Sequence, residues 1–374
     1  MSHGYKLLAV VVSAIVIYAC AGAQQETPPP RVASAPITVS PPAPQPPQGH
    51  PREDLIPRSA LFGNPERENV SVSPDGKYLS WLAPSDGVLN VWVAPADKLD
   101  QAKAVSADRA RPVSEYHWTY DGQHLIYLQD KGGDENFHLF RVQATGGDTQ
   151  DLTPLPGARA TLYALSQRKP NFAMVGLNDR NAEAFDVYRI DLRSGARELV
   201  LQNDQKYVDY MFDDDLSLRL ASQMAADGSM HWFKQDLKTK AWQPYDQIPT
   251  DDIMTSTFIG FDKSGKNLYA SDSRGRNTAA LVRVDFASKK STVLLEDARV
   301  DLDRVLTHPT EHTVQAVQIN YDRPRWMALD KSIQRDLDGI AALEGGQTVT
   351  EIVSRTLDDK TWIVYVASDR TSPK

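Results

Sequence analysis

The sequence has a single cysteine, Cys20. One thiol excludes a disulfide framework within the chain and any cysteine-based zinc site. Positive charge is also in deficit: 41 Lys and Arg stand against 49 Asp and Glu, a net charge of −8. That balance argues against nucleic acid as a partner. The apolar run from Leu7 to Ala19 is short for a membrane span. With Lys6 before it and Cys20 after it, it reads as a bacterial export signal occupying residues 1–20. Ile17-Tyr18-Ala19-Cys20 resembles a lipoprotein signal-peptidase box, with Ile and Tyr where Leu and a smaller residue are commoner. Lipidation at Cys20, a membrane partner through that anchor and a periplasmic, outer-membrane location are the expectation. An ordinary secretory signal cleaved near Ala23 is the plain alternative.

Residues 21–55 read as a linker. Pro28-Pro29-Pro30, Pro36, Pro41-Pro42, Pro44, Pro46-Pro47 and Pro51 leave no room for helix or sheet. The segment is either an extended spacer or a plain tether.

What is present beyond it is a repeat. A turn followed by an apolar run begins at Gly76, Gly122, Pro170, Leu216, Gly265, His312 and Asp359. These starts lie roughly 46 to 49 residues apart, a period that suits one propeller blade of four strands. Ser73-Pro74-Asp75-Gly76, Tyr120-Asp121-Gly122 and Asp262-Lys263-Ser264-Gly265 supply the turn chemistry. A second landmark keeps the same beat at Val91-Trp92-Val93, Leu139-Phe140, Val187-Tyr188, Trp232-Phe233 and Leu281-Val282. The reading is all-β: a seven-bladed β-propeller over residues 56–374. Its blades end near Asp100, Thr153, Asn203, Pro249, Asp297 and Gly346. A short helix is expected inside blade six, where Trp326, Leu329, Ile333, Leu337, Ile340 and Leu343 follow helical spacing. Asp330 can cap it and Gly345-Gly346 can end it. The last blade offers only Thr350 to Ser354 and Lys360 to Ala367, so it is expected to be incomplete and the chain cut short.

From Ile56 onward the sequence resembles the N-terminal propeller of the prolyl oligopeptidase family, in the bacterial acylaminoacyl-peptidase or dipeptidyl-aminopeptidase branch. The stretches that carry this are Ile56-Pro57-Arg58, Leu61-Phe62-Gly63-Asn64-Pro65, Gly133-Asp134-Glu135-Asn136 and Gly176-Leu177-Asn178-Asp179-Arg180. Asp272-Ser273-Arg274-Gly275-Arg276 and Arg325-Trp326 add to them. The resemblance implies a propeller that caps an α/β-hydrolase domain and limits substrate size. The peptide substrate would be met through that domain, which this sequence does not include. No Gly-x-Ser-x-Gly elbow occurs in the chain, so no catalytic residue is assigned.

Four residues are candidate substrate contacts. Asp134 and Glu135 could hold a peptide's free amine by charge-assisted hydrogen bonds. A simple chain-reversing turn explains the same residues. Arg274 and Arg276 could fork onto a carboxylate or onto a missing domain, and a solvated turn explains them equally well. His117, His124 and His138 fall in one blade, but alternating positions do not converge on a metal. Asp213-Asp214-Asp215 reads as a solvated turn, and no spacing singles out a glycosidase carboxylate pair. No metal and no cofactor are assigned. The competing reading is a stand-alone periplasmic lipoprotein propeller that binds or scaffolds.

Overall fold

The computed structural model describes residues 56–58, 62–346 and 348–368. Cys20 and the proline-rich segment lie outside the described residues. Blade one is β1 (Glu68–Val72), β2 (Tyr78–Ser85), β3 (Val88–Pro95) and β4 (Lys103–Ala104). Blade two is β5 (Tyr116–Trp118), β6 (His124–Gln129), β7 (His138–Gln143) and β8 (Gln150–Asp151). Blade three is β9 (Ala160–Leu165), β10 (Phe172–Asn181), β11 (Ala184–Asp191) and β12 (Arg197–Leu201). Blade four is β13 (Asp209–Phe212), β14 (Leu218–Met224), β15 (Met230–Gln235) and β16 (Trp242–Ile248). Blade five is β17 (Thr257–Phe261), β18 (Asn267–Asp272), β19 (Ala280–Asp285) and β20 (Ser291–Leu295). Blade six has three strands, β21 (Leu302–Thr307), β22 (Val314–Asn320) and β23 (Pro324–Ala328). After it come helix α1 (Gln334–Ala341) and a hairpin, β24 (Val349–Arg355) and β25 (Trp362–Ala367). Every pairing is antiparallel between sequence neighbours.

The turn-plus-run repeats all become the second strand of a sheet, and the second landmark becomes the third. One turn explains six of the seven copies, sharp and faint alike; the copy at Pro170 has no left-handed residue. Gly76, Gly122 and Gly265 sit at φ 75°, 67° and 65°, and Leu216, His312 and Asp359 hold the equivalent place at φ 59°, 56° and 57°. A left-handed non-glycine residue costs about 1 kcal/mol, which the surrounding turn bonds offset. An aspartate stabilises the tight form: Asp121 Oδ1 accepts from Thr119 Oγ1 at 2.6 Å and from the Gln123 amide at 2.8 Å.

Alternation then sorts side chains between neighbouring blades. Along β6, Leu125 and Tyr127 pack toward blade one with Trp118, Leu82 and Val91, while Ile126 packs toward blade three with Leu139 and Val175. Along β18, Leu268 and Ala270 face blade four while Tyr269 faces blade six. Both faces are buried, which is why these strands read as nearly continuous apolar runs. The core is a ring of such interfaces. Trp118 is fully buried in one of them, with Nε1 donating to Ser80 Oγ at 2.8 Å.

Two expectations are corrected. Six sheets have three or four strands, so the expected seven blades are not reached; the seventh repeat is only a two-stranded hairpin. Trp326 belongs to β23 rather than to a helix, because its segment pairs with β22. The helix starts later, after a 3₁₀ turn at Lys331–Ile333 whose first amides meet Asp330, Ser332 N donating to Oδ1 at 2.9 Å.

The hairpin nevertheless joins the ring on both sides. Ser354 Oγ lies 3.1 Å from Ser71 Oγ and accepts from the Val72 amide at 3.1 Å, and Leu357 N donates to Pro74 O at 2.9 Å. On the other side Arg355, its side chain 1% exposed, donates to Gln315 Oε1 of blade six and to Asp359, each at 2.9 Å. Arg304 of blade six pairs with Glu351 at 2.9 Å.

Candidate functional site

Antiparallel order sorts the connections onto two faces. Turns between first and second strands, and between third and fourth, lie on one face, here the turn face. Hairpins between second and third strands lie on the other, with the links between blades. This loop face carries all four sequence-predicted contact residues. The chain enters β1 on the same face.

The structure does not bring the four together: Asp134 and Glu135 belong to blade two, Arg274 and Arg276 to blade five. Asp134 holds its own loop. Its carboxylate accepts from the amides of Asn136 at 3.1 Å and Lys131 at 3.3 Å, and the Asn136 amide bond heads the causes that lower its pKa. Glu135 is left-handed at φ 59°, and its N–H donates to Asp130 Oδ2 at 3.2 Å. The acids therefore build the turn, and their exposed oxygens remain reachable from solvent.

Arg274 is committed within the fold. Nε donates to Asp272 Oδ1 at 2.8 Å, while Nη1 donates to Asp246 Oδ1 and Gln247 O, both at 2.9 Å. The Asp272 hydrogen bond leads the causes that raise its pKa. Arg276 pairs with Glu296 at 2.7 Å. Both guanidiniums stitch the blade-five hairpin to chain segments that end the outer strands of blades four and five.

The three histidines of blade two pair singly: His117 with Glu115 at 3.2 Å, His124 with Asp121 at 2.7 Å, His138 with Asp151 at 2.7 Å. Among the described residues no group of three or more His, Cys, Asp or Glu could hold a metal. No described helix is long and apolar enough to cross a membrane. A small cleft opens between blades two and three beside Glu115, His117, Thr161 and Leu162.

Three features escaped the sequence reading. Asp209 begins β13 on the loop face, half-buried near Tyr163 and Tyr210, and burial pushes its carboxyl up to about 6. Met254 and Tyr321 stand out on loop-face connections at 83% and 60% exposure, with the Arg299 guanidinium 4.3 Å from the Tyr321 ring centre. Asp214 is not solvated as expected: its side chain is 5% exposed.

Arg180, in one of the resemblance segments, clamps Asp186 through two bonds of 2.8 and 2.9 Å and also meets Asp204 at 3.0 Å. Asp186 takes the Asn203 amide at 2.7 Å as well. That motif is thus a brace for the link into blade four.

Sheets repeated about an axis, with the last hairpin seated on the first blade, make the chain a β-propeller. No family model matches it. It is 46% identical over 317 residues to dipeptidyl aminopeptidase BIII of Pseudoxanthomonas mexicana, covering 84% of this chain and 46% of that protein. It is 29% identical over 332 residues to dipeptidyl peptidase family member 6 of Caenorhabditis elegans, covering 84% of this chain and 44% of that protein. A solved prolyl endopeptidase superposes with a TM-score of 0.52 at 13% identity, over 81% of this chain and 45% of the other. The chain is homologous to dipeptidyl aminopeptidase BIII and shares its fold with part of a prolyl endopeptidase, and it spans less than half the length of these relatives.

Proposed function

We propose that this chain is the non-catalytic propeller of an exported serine peptidase that releases short pieces from peptide N-termini. Its role is to cap the active site and limit substrate size. The observation that carries this is the 46% identity to a dipeptidyl aminopeptidase across nearly all the described chain. The loop face, where the chain enters β1, is the side that meets the hydrolase domain. Its exposed Met254 and Tyr321 suit such a contact. The β24–β25 hairpin is the beginning of a seventh blade. The chemistry belongs to the partner domain, because this sequence contains no Gly-x-Ser-x-Gly elbow to carry a nucleophile.

The purified chain alone is expected to leave aminoacyl and dipeptidyl chromogenic substrates intact. Turnover blocked by a serine-directed fluorophosphonate would overturn the assignment. In the same reading Cys20 is lipidated and tethers the propeller in the periplasm. Several acyl chains give stable anchoring, each buried methylene adding about 0.8 kcal/mol. Cys20→Ser should move the protein from the membrane to the soluble fraction; an unchanged distribution would refute the anchor.

A further inference from the structure

The core between blades four and five does not stop beneath the loop face. It runs out to solvent through methionine. Met224 ends β14 and Met230 begins β15, cross-strand partners on the side of the sheet that faces blade five. Met230 and Ile253 pack on the buried cluster of Leu220, Trp232, Ile248 and Phe258. Met224 is 47% exposed, and Met254, next to Ile253 in the link between the blades, is 83% exposed. Exposed Asp227 in the hairpin and exposed Asp251 in the link give this apolar strip a polar rim.

The link that carries Met254 is held on both sides of it. Ser273 Oγ donates to Asp252 Oδ1 at 2.7 Å and lies 2.7 Å from Thr255 Oγ1. Ser256 Oγ accepts the Ser273 amide at 2.9 Å, and Ser271 Oγ donates to Thr255 O at 2.7 Å. Thr250 Oγ1 donates to Asp227 O at 2.6 Å, which ties the link to the hairpin between Met224 and Met230. Ser273 thereby acquires a role within the Asp272-Ser273-Arg274-Gly275-Arg276 segment. A lone exposed apolar residue needs no explanation. This one is continuous with the core and stands on a backbone fixed from two blades, so covering it orders little that is not ordered already.

We propose that Met254 and Met224 form the docking patch on which the catalytic domain sits. This rests on the function proposed above. The occupant follows from where the chain joins the ring. It enters β1 on the loop face, and β25 runs back from the turn at Asp359 to end at Ala367 on that same face. A domain joined at either place lies over the face that bears the patch. This chain covers 46% of dipeptidyl aminopeptidase BIII, so more than half of that protein lies outside the match. The matching surface on the domain is apolar, with a recess for the unbranched thioether side chain of Met254.

Peroxide footprinting tests this on the full chain and on dipeptidyl aminopeptidase BIII carrying this chain in place of its matching segment. Hydrogen peroxide transfers one oxygen to the thioether sulfur, giving the sulfoxide and water. In the chain alone Met254 should oxidise fastest among the methionines of the described residues. In the chimera Met254 should oxidise roughly tenfold more slowly, and Met224 should slow with it. Met327, 41% exposed on β23 of blade six, should oxidise alike in both. In the chimera, Met254→Glu should expose Met224 to peroxide again and lower dipeptidyl cleavage roughly tenfold, whereas Met254→Leu should keep both near the parent. Neither change should move urea unfolding of the chain alone, because the side chain stands in solvent. An active chimera whose Met254 oxidises as fast as in the chain alone overturns the patch and leaves the proposed function standing. So does a Met254→Glu chimera that matches its parent in cleavage and in Met224 protection. An inactive chimera overturns the proposed function, and the patch with it.

Discussion

Single residues in this propeller carry charge states that their neighbours impose. Asp209 is the clearest. Its folded pKa, about 6, lies above the ordinary aspartate value, so the folded chain binds the proton more tightly than the unfolded chain. That contribution is full below the unfolded pKa and is lost as pH rises through about 6. Asp209→Asn keeps an oxygen for the Tyr210 amide, now 2.8 Å from Oδ1. It should raise stability at neutral pH by about 1 kcal/mol and flatten the decline between acidic and neutral pH. Urea unfolding at both ends of that range measures it; an unchanged pH slope contradicts it. Nothing in the sequence near Asp209 announces this, because Tyr163 stands on another blade. The same holds for Arg274. Its motif is visible, but its partner Asp246 lies 28 residues away on the adjoining blade. Local chemistry was legible in Asp134 and Glu135, where the turn reading describes their bonds.

Strands and turns follow from signals a few residues long. A left-handed turn between the first and second strands, then an apolar run, recurs in every repeat except the one at Pro170, and so strand order was readable. The same turn survives with Leu216 or His312 in the glycine place, where the sequence pattern fades but the backbone does not. Trp326 misled because helical spacing continues across it into α1, while its pairing partner Gln318 is set by β22. Strand β25 presents an open edge. It pairs with β24 alone among the described residues, and Tyr365 is 39% exposed on it. An apolar edge of this kind invites pairing with another copy. The chain is expected to self-associate at micromolar concentration, and Tyr365→Lys should shift it toward monomer by charging the edge. Light scattering decides: a monodisperse wild-type monomer, or a lysine variant that associates equally, contradicts the open edge.

At the scale of the molecule, the ring is held by contacts that no repeat encodes. Arg355 fastens the hairpin to blade six and Ser354 fastens it to blade one. The first and last repeats therefore meet although the last has only two strands. On the turn face Gln167 of blade three meets Thr310 of blade six at 3.0 Å, while the loop face keeps its exposed aromatic and methionine side chains. Such a body suits the role of a cap: one face tied across its inner turns, the other offered to a partner. The most direct test exchanges caps. Dipeptidyl aminopeptidase BIII carrying this chain in place of its matching segment should keep cleaving a dipeptidyl chromogenic substrate while refusing a folded protein. A chimera that is inactive, or that digests the protein as readily as the parent without any propeller, contradicts the account.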